Sequence, residues 1–217
     1  MSFTFRPLRS IHSLTSPLLP QKSLLRPLSV RPFSSTTLRP NPNQASSSSP
    51  TSQSPSTKDP SHPYLYYHPT HTHLTLSFLP SPPIQKSRTI LGYLPLENAT
   101  LEDFKEEPKF IETLHDAIQS GLEANVSDTL QYEAETRPTD GWIHITDERA
   151  IPPAGRIGET EDLIGSVYVQ EGKIIASTYS PLPTYRLITP NGVLTLPKGL
   201  DTHLIKVLEK IDQEEKK

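Results

Sequence analysis

The chain has 217 residues, contains no cysteine and carries a formal net charge of −3. The lack of cysteine excludes disulfide frameworks, thiol nucleophiles, zinc ribbons and iron–sulfur clusters. The apolar runs are only a few residues long, so no segment can cross roughly 30 Å of hydrocarbon as a helix.

The charge is divided unevenly along the chain. Residues 1–58 contain seven Lys and Arg side chains and no Asp or Glu. Residues 59–217 contain 14 basic and 24 acidic side chains, a formal net charge of −10. Because neutralising phosphates requires a surplus of Lys and Arg, this acidic remainder makes nucleic acid an unfavourable partner.

Residues 1–33 predict a mitochondrial transit peptide, because such peptides are rich in Arg and Ser, poor in acids, and amphipathic. The stretch Arg31-Pro32-Phe33-Ser34 resembles a mitochondrial processing site and places cleavage near Phe33. A secretory signal is disfavoured, since prolines and charges interrupt every apolar stretch. A plastid address and an ordinary basic tail remain as alternatives. The mitochondrial matrix is the favoured location.

Residues 34–63 are rich in Ser and Pro and predict a disordered linker. Such a segment buries too little apolar area to offset a backbone ordering cost of about 1–2 kcal/mol per residue. Residues 64–217 predict a single folded domain, long enough to bury about 70% of its surface around one core.

The first half of this domain contains strand and helix patterns. Residues 73–78 alternate apolar and polar side chains, as a half-buried strand does, and with the apolar run 89–94 they predict a hairpin. Thr100-Leu101-Glu102-Asp103 resembles a capping box and predicts the start of a helix. Pro108 either ends this helix or restarts it as a first-turn residue. After Pro108, a core-facing helical stripe is predicted for Phe110, Ile111, Leu114, Ala117, Ile118 and Leu122. Residues 127–135 predict a separate short helix.

The second half is richer in strands. Residues 142–145 predict a strand, residues 151–158 a Pro/Gly-rich connection, and residues 159–163 a helical turn. Hairpins are predicted around Gln170-Glu171-Gly172-Lys173 and Thr189-Pro190-Asn191-Gly192. A last helix, capped by Asp201, would bury Leu204, Ile205, Val207, Leu208 and Ile211.

The order of these elements indicates the fold class. Runs of strands and separate helices, without βαβ alternation, predict an α+β domain. We expect antiparallel strands and hairpins packed by two main helices.

The chain contains no dinucleotide-binding, phosphate-loop, zinc-protease, serine-hydrolase or calcium-loop motif, so the sequence predicts no cofactor. Residues 142–162 nevertheless concentrate polar side chains. Carboxylates near a histidine can act as general acid and base or hold a divalent cation. Structural pairing of the same acids with Arg149 or Arg156 is the favoured alternative, because an irregular loop needs such anchors. The catalytic candidates are His144, Asp147, Glu148, Glu161 and Asp162.

Two further patterns, a histidine cluster and a G-x-x-G match, each allow a functional and a structural interpretation. The spacing of His68, His71 and His73 would allow metal coordination along a strand. No carboxylate lies nearby in sequence, so an exposed cluster that binds no metal is favoured. Residues 155–158 match the G-x-x-G loop of KH nucleic-acid modules. Pro152 and Pro153 disfavour the helix that such a loop requires, so a plain turn is favoured.

Trp142 shares its strand face with His144 and Thr146, opposite two isoleucines. Either a helix covers this face, which is the favoured interpretation, or Trp142 lies under a partner. The binding candidates of this region are Trp142, Arg149, Gly155, Arg156 and Gly158.

The segments GWIHITDERAIPPAGRIGETEDLIGSVYV and TYSPLPTYRLITPNGVLTL resemble a stretch found in uncharacterised fungal mitochondrial proteins. The resemblance covers roughly the last third to half of the chain. It implies a mitochondrial address, and it carries no activity, cofactor or catalytic residue.

Three functional hypotheses follow. The leading one is a non-enzymatic matrix protein that binds another mitochondrial protein or complex as an assembly or accessory factor. The second is a small metal-dependent or acid/base hydrolase that uses residues 142–162. The third is RNA binding through residues 155–158, which the acidic charge of the domain disfavours.

Overall fold

The first sheet contains the N-terminal part of the described chain. The computed structural model of the protein describes residues 56–153 and 156–217, which belong to one compact unit. Five antiparallel strands lie side by side in chain order, and the predicted hairpin of the third and fourth is confirmed. They are β1 (Thr57–Lys58), β2 (Tyr66–Pro69), β3 (Leu74–Ser77), β4 (Ile90–Leu94) and β5 (Lys105–Glu106).

Strand β3 differs from its prediction, because its polar residues are buried as well as its apolar ones. Thr75 and Ser77 are both buried, so the half-buried interpretation was wrong. The Ser77 hydroxyl donates to the Thr89 carbonyl oxygen at 3.0 Å. This hydrogen bond satisfies a polar group that would otherwise be costly to bury.

The folded domain begins before residue 64. Thr57 and Lys58 pair with β2, so residues 56–63, predicted as linker, belong to the domain. The Asp59 carboxylate organises this segment by accepting hydrogen bonds from Ser61 Oγ at 2.6 Å and Tyr67 Oη at 2.7 Å. These bonds lower the pKa of Asp59 to about 2. The predicted transit peptide, residues 1–33, and residues 34–55 of the predicted linker lie outside the described residues.

The first α-helix begins later than the capping box. Thr100 and Asp103 form the box, with Thr100 N donating to Asp103 Oδ2 at 3.0 Å. Only one 3₁₀ turn follows, because Lys105 and Glu106 pair with β4 as a strand. Helix α1 (Pro108–Glu123) then starts at Pro108, so the restart alternative is confirmed. Its predicted stripe is buried except for Ile111, which is half-buried.

The other two helices lie where the sequence predicts them. Helix α2 is Asp128–Thr136, and α3 is Leu200–Glu215. Gly199 precedes α3, so Asp201 is not the capping residue; its Oδ1 accepts from Gly199 N at 2.9 Å within the first turn. Ile205 and Val207 are only partly buried. The buried face of α3 consists of Leu200, Leu204, Leu208 and Ile211.

The second sheet has the order β6-β7-β8 and is antiparallel throughout. Its strands are β6 (Gly141–Thr146), β7 (Leu163–Gln170) and β8 (Lys173–Pro181). The predicted hairpin between β7 and β8 is confirmed, with positive φ at Glu171 and Gly172. A single turn, closed by Asp162 N donating to Glu159 O at 3.0 Å, occupies most of the predicted helical turn at residues 159–163, but Leu163 already pairs with Thr146 as a strand residue.

A small third sheet contains the other predicted hairpin, which is also confirmed. Strands β9 (Ile188–Thr189) and β10 (Gly192–Val193) pair across the Pro190-Asn191 turn. One continuous core joins all these elements, with α1 packed against α3 and β8. The predicted α+β class is confirmed. Within residues 56–153 and 156–217, no helix is both long and apolar enough to span a membrane.

Candidate functional site

One face of the second sheet points away from the core and is exposed at Trp142 and His144 and half-buried at Ser166, Tyr168 and Ile175; we call it the Trp142 face. On β6, Ile143 and Ile145 are buried in the core, whereas 51% of Trp142 is exposed and His144 is exposed as well. The favoured prediction that a helix covers Trp142 was wrong, since the core lies on the opposite side of the sheet. The Trp142 face consists of Trp142, His144, Ser166, Tyr168 and Ile175.

Contacts across the strands order the Trp142 face. The indole packs edge-on against the Tyr168 ring, with 5.6 Å between ring centroids. His144 Nδ1 and Ser166 Oγ form a hydrogen bond of 2.8 Å. Tyr168 lies opposite Trp142 on one side and Ile175 on the other. The result is an aromatic and aliphatic row across all three strands.

The end of β6 begins a buried ionic cluster, which we call the Arg149 cluster: Asp147, Arg149, Asp162 and Tyr185. Arg149 Nε donates to Asp162 Oδ1 at 2.8 Å, and Arg149 Nη1 lies 3.5 Å from Asp147 Oδ2. The three charged side chains are at most 2% exposed. The Arg149 guanidinium also lies over the Tyr185 ring, 5.5 Å from its centroid, as in a cation–π contact.

The remaining donors of Arg149 bind backbone carbonyl oxygens. Nη2 donates to Arg186 O at 2.7 Å and to Glu161 O at 3.1 Å, and Nη1 donates to Leu187 O at 2.9 Å and to Gly192 O at 3.5 Å. The guanidinium therefore connects the end of β6, the start of β7 and the segment before β9. A planar group with five donors is well suited to several acceptors in fixed directions.

The two carboxylates of the cluster are similarly occupied. Asp147 accepts from Arg149 N at 3.0 Å, Thr195 N at 2.9 Å and Tyr185 Oη at 2.9 Å. Asp162 Oδ2 accepts from Asn191 Nδ2 at 3.2 Å. Burial raises the pKa of Asp147, and the Arg149 guanidinium and the hydrogen bonds oppose this rise. These contacts match the structural alternative that the sequence left open for this region.

The other catalytic candidates do not join this cluster. His144 lies on the exposed face of β6, whereas Asp147 is buried with the core-facing residues. Glu148 and Glu161 are exposed. The structure brings Asp147 and Asp162 together around Arg149 and leaves His144 on the Trp142 face.

The loop after β6 holds the remaining binding candidates. Arg156 is exposed, and Gly158 lies against the Thr146 side chain, where a Cβ would approach within 3.2 Å. Gly155 lies outside the described residues. Two other residues of this loop expose large apolar side chains, Ile151 at 75% and Ile157 at 71%.

The three histidines predicted as possible metal ligands lie in different environments. His68 is buried, and its ring nitrogens contact Ser56 Oγ at 2.8 Å and Leu79 O at 3.0 Å. His73 Nδ1 contacts Thr72 Oγ1, and His71 is exposed. Burial lowers the pKa of His68. The described part of the chain contains no group of three or more His, Asp or Glu side chains arranged to hold a metal ion.

A histidine–tyrosine pair was missed by sequence reasoning. His115 Nδ1 lies 2.8 Å from Tyr179 Oη, between α1 and β8. Burial lowers the pKa of His115 and raises the pKa of Tyr179. His115 also lines a cleft of about 310 Å³, together with Glu106 and Leu187. Because the two residues are 64 positions apart in sequence, no local pattern could have indicated the pair.

A second cleft, of about 100 Å³, lies beside the start of α3. The His62 ring stacks on Phe78 with 5.3 Å between ring centroids, and Tyr64 Oη donates to Asp201 Oδ2 at 3.3 Å. The cleft is lined mainly by apolar side chains of Leu194, Leu196 and Leu204. Three of its polar lining residues, His62, Tyr64 and Asp201, already form hydrogen bonds within the fold.

Comparison with known proteins assigns no family to this chain. No protein-family model, no curated protein and no solved structure matches it. The function has to be inferred from its own surfaces, and of these the Trp142 face combines an exposed tryptophan with an ordered row of aromatic and aliphatic side chains across three strands.

Proposed function

We propose that this chain is a non-enzymatic mitochondrial accessory or assembly factor that binds another protein through the Trp142 face. The observation that carries the proposal is the exposure of Trp142 in line with Tyr168 and Ile175. Single exposed apolar residues are common on protein surfaces. A row of aromatic and aliphatic side chains is more typical of a binding surface, and Trp and Tyr are enriched among residues that dominate binding energy.

The mitochondrial part of the proposal is supported by sequence. Residues 1–58 carry seven basic side chains and no acid, as import signals do. The matrix is the favoured compartment. The resemblance of the C-terminal half to fungal mitochondrial proteins agrees with this location.

The hydrolase alternative is less well supported. A general acid or base must reach the substrate, and the carboxylates of Asp147 and Asp162 are buried and bonded to Arg149. His144, the imidazole nearest to them in sequence, faces away from the core. An RNA-binding role is disfavoured by the net charge of −10 over residues 59–217.

Affinity purification of the tagged full chain from mitochondria tests the proposal. We expect a partner to be retained by the wild type and by Tyr132→Ala, which alters an aromatic residue of α2 that is 70% exposed. Trp142→Ala is expected to reduce retention about 30-fold, the effect of losing roughly 2 kcal/mol at a binding hot spot. Recovery of the chain alone, or equal retention by Trp142→Ala, would contradict the proposal.

A further inference from the structure

The backbone of β6 has unpaired groups at the edge of the second sheet. β6 has a single neighbour, β7, with Trp142 opposite Tyr168 and His144 opposite Ser166. Tyr168 N donates to Thr178 Oγ1 of β8 at 2.9 Å, so the Tyr168 N–H points away from β6. In an antiparallel pair, residues alternate between exchanging both backbone hydrogen bonds and exchanging none.

It follows that Trp142 and Tyr168 form a pair without backbone hydrogen bonds, and so do His144 and Ser166. The close side-chain contacts of both pairs agree, since side chains approach more closely in such pairs. The N–H and C=O groups of Trp142 and His144 therefore point outward from the sheet edge. Among the residues that the structure describes, none bonds to these groups.

Strand β6 also lacks the features that usually protect an edge. Proteins block exposed edges with Lys, Pro, charged side chains that point inward, bulges or very short strands. The six residues Gly141–Thr146 contain no Lys or Pro, and the inward side chains are Ile143 and Ile145. The one irregularity, between Ile145 and Thr146, lies at the end of the strand.

The charge around β6 indicates the chemistry of a ligand. Asp140 and Glu148 flank the strand and are exposed, Arg137 lies beside Gly141, and Arg149 is bonded within its buried cluster. The preference for a basic ligand therefore rests on the net charge of −10 over residues 59–217. The acidic charge of residues 59–217 would oppose pairing of two copies of this chain. A segment with Lys or Arg residues would be attracted instead.

We propose that β6 binds an extended, positively charged segment of the partner protein, which adds a fourth strand to the second sheet beside Trp142 and His144. The unpaired backbone groups provide the hydrogen bonds of the added strand, and the Trp142 side chain packs against its alternate residues. This inference rests on the proposed function, and it specifies how the Trp142 face is used.

Two substitutions at one position separate backbone recognition from side-chain recognition. His144→Pro removes the outward N–H and the imidazole without removing a backbone hydrogen bond to β7, and proline is tolerated on edge strands. His144→Ala keeps the N–H and removes only the imidazole. In affinity purification of the full chain, we expect His144→Pro to retain at least tenfold less partner than His144→Ala, because both variants lack the imidazole and only the proline variant lacks the outward N–H.

Hydrogen exchange by NMR on the wild-type chain makes the test independent of whether His144→Pro folds. In the free protein, the amides of Trp142 and His144 should exchange quickly and those of Ile143 and Ile145 slowly. In the complex with the protein recovered by purification, both outward amides should slow at least 100-fold. Slow exchange of both amides together with the predicted difference between the two variants supports strand addition.

Other results would overturn the inference. If the partner shifts the fluorescence of Trp142, the sole tryptophan, while both amides still exchange quickly, strand addition is wrong and the proposed function stands. If His144→Pro and His144→Ala lose partner retention equally, strand addition is likewise wrong and the proposed function stands. Light scattering can detect pairing between copies of this chain. If the purified wild type is dimeric and the His144→Pro variant is monomeric, β6 pairs with a second copy of the chain and not with a strand of another protein. If no partner is recovered, both proposals fail.

Discussion

Arg149 shows how one side chain can anchor an irregular part of a fold. Its guanidinium binds two buried carboxylates and four backbone carbonyl groups, from residues up to 43 positions away. The contacts to Glu161 O and Arg186 O lie at the surface, whereas the carboxylates of Asp147 and Asp162 are buried and depend on Arg149 for a counterion. Lysine could replace the charge, but it could not reproduce the planar fork.

We therefore expect Arg149→Ala to lower the free energy of unfolding by about 3–5 kcal/mol, because Asp147 and Asp162 would remain as buried charges without a counterion. Arg149→Lys should recover only part of this loss. Urea unfolding followed by circular dichroism measures both. The matched control is the exposed Arg156→Ala, which should change stability by no more than about 0.5 kcal/mol. A loss below about 1 kcal/mol for Arg149→Ala would contradict the assigned role.

At the scale of elements, the junction of α2 and α3 depends on a glycine. Gly199 has φ 94°, a conformation that side chains rarely adopt, and it precedes α3 directly. A Cβ at this position would also meet the Val126 carbonyl group, just before α2. The backbone of one connection thus packs directly on the backbone of another.

Gly199→Ala should therefore destabilise the domain by about 1–3 kcal/mol more than Gly192→Ala, measured as the difference in their unfolding free energies. Gly192 also has a positive φ, 131°, but a Cβ there would meet no atom within 4 Å. The comparison separates backbone strain, which both variants share, from the steric clash at Gly199 alone. Equal effects would show that the close approach is unimportant.

The elements that sequence predicts well are those with local causes. The hairpins at Glu171-Gly172 and Asn191-Gly192 follow from turn chemistry, and the α1 stripe follows from helical periodicity. Strand β2 was missed, because its residues Tyr66–Pro69 include a histidine and a proline and show no clear alternation. Its strand state depends on pairing with β3, which local sequence cannot indicate.

The same distinction applies to the candidate site. The sequence identified residues 142–162 as unusual and offered structural ion pairing as the favoured alternative. It could not indicate that Arg149 reaches residues 186 and 187, because those contacts depend on the tertiary arrangement of β9. It also placed Trp142 under a helix, since alternation shows that two faces differ but does not show which neighbours cover them.

At the scale of the whole molecule, buried histidines link stability to pH. Burial lowers the pKa of His68 and of His115 below the usual 6.5. Lys216 adds to this effect at His68, whereas Asp116 opposes it at His115. When the pH falls through 6.5, the unfolded chain takes up protons at these positions before the folded chain does. The free energy of unfolding must therefore decrease, until the folded-state pKa values are reached.

We expect urea unfolding between pH 8 and pH 5 to show this decrease in the wild type. His68→Gln and His115→Gln should each make the decrease smaller, because one unequal titration is removed. His71→Gln, at an exposed position, is the control and should follow the wild-type curve. A variant curve parallel to that of the wild type would show that the substituted histidine does not titrate differently on unfolding.

The connections made by Arg149 have a consequence for a cut chain. Trypsin can recognise the exposed Arg156, in the loop after β6. The resulting fragments would remain bound through the β6–β7 ladder and through the guanidinium of one fragment, which donates to four carbonyl groups of the other. The nicked molecule would elute as a single particle and separate only in denaturant, so the covalent continuity of this loop is dispensable for holding the two halves together.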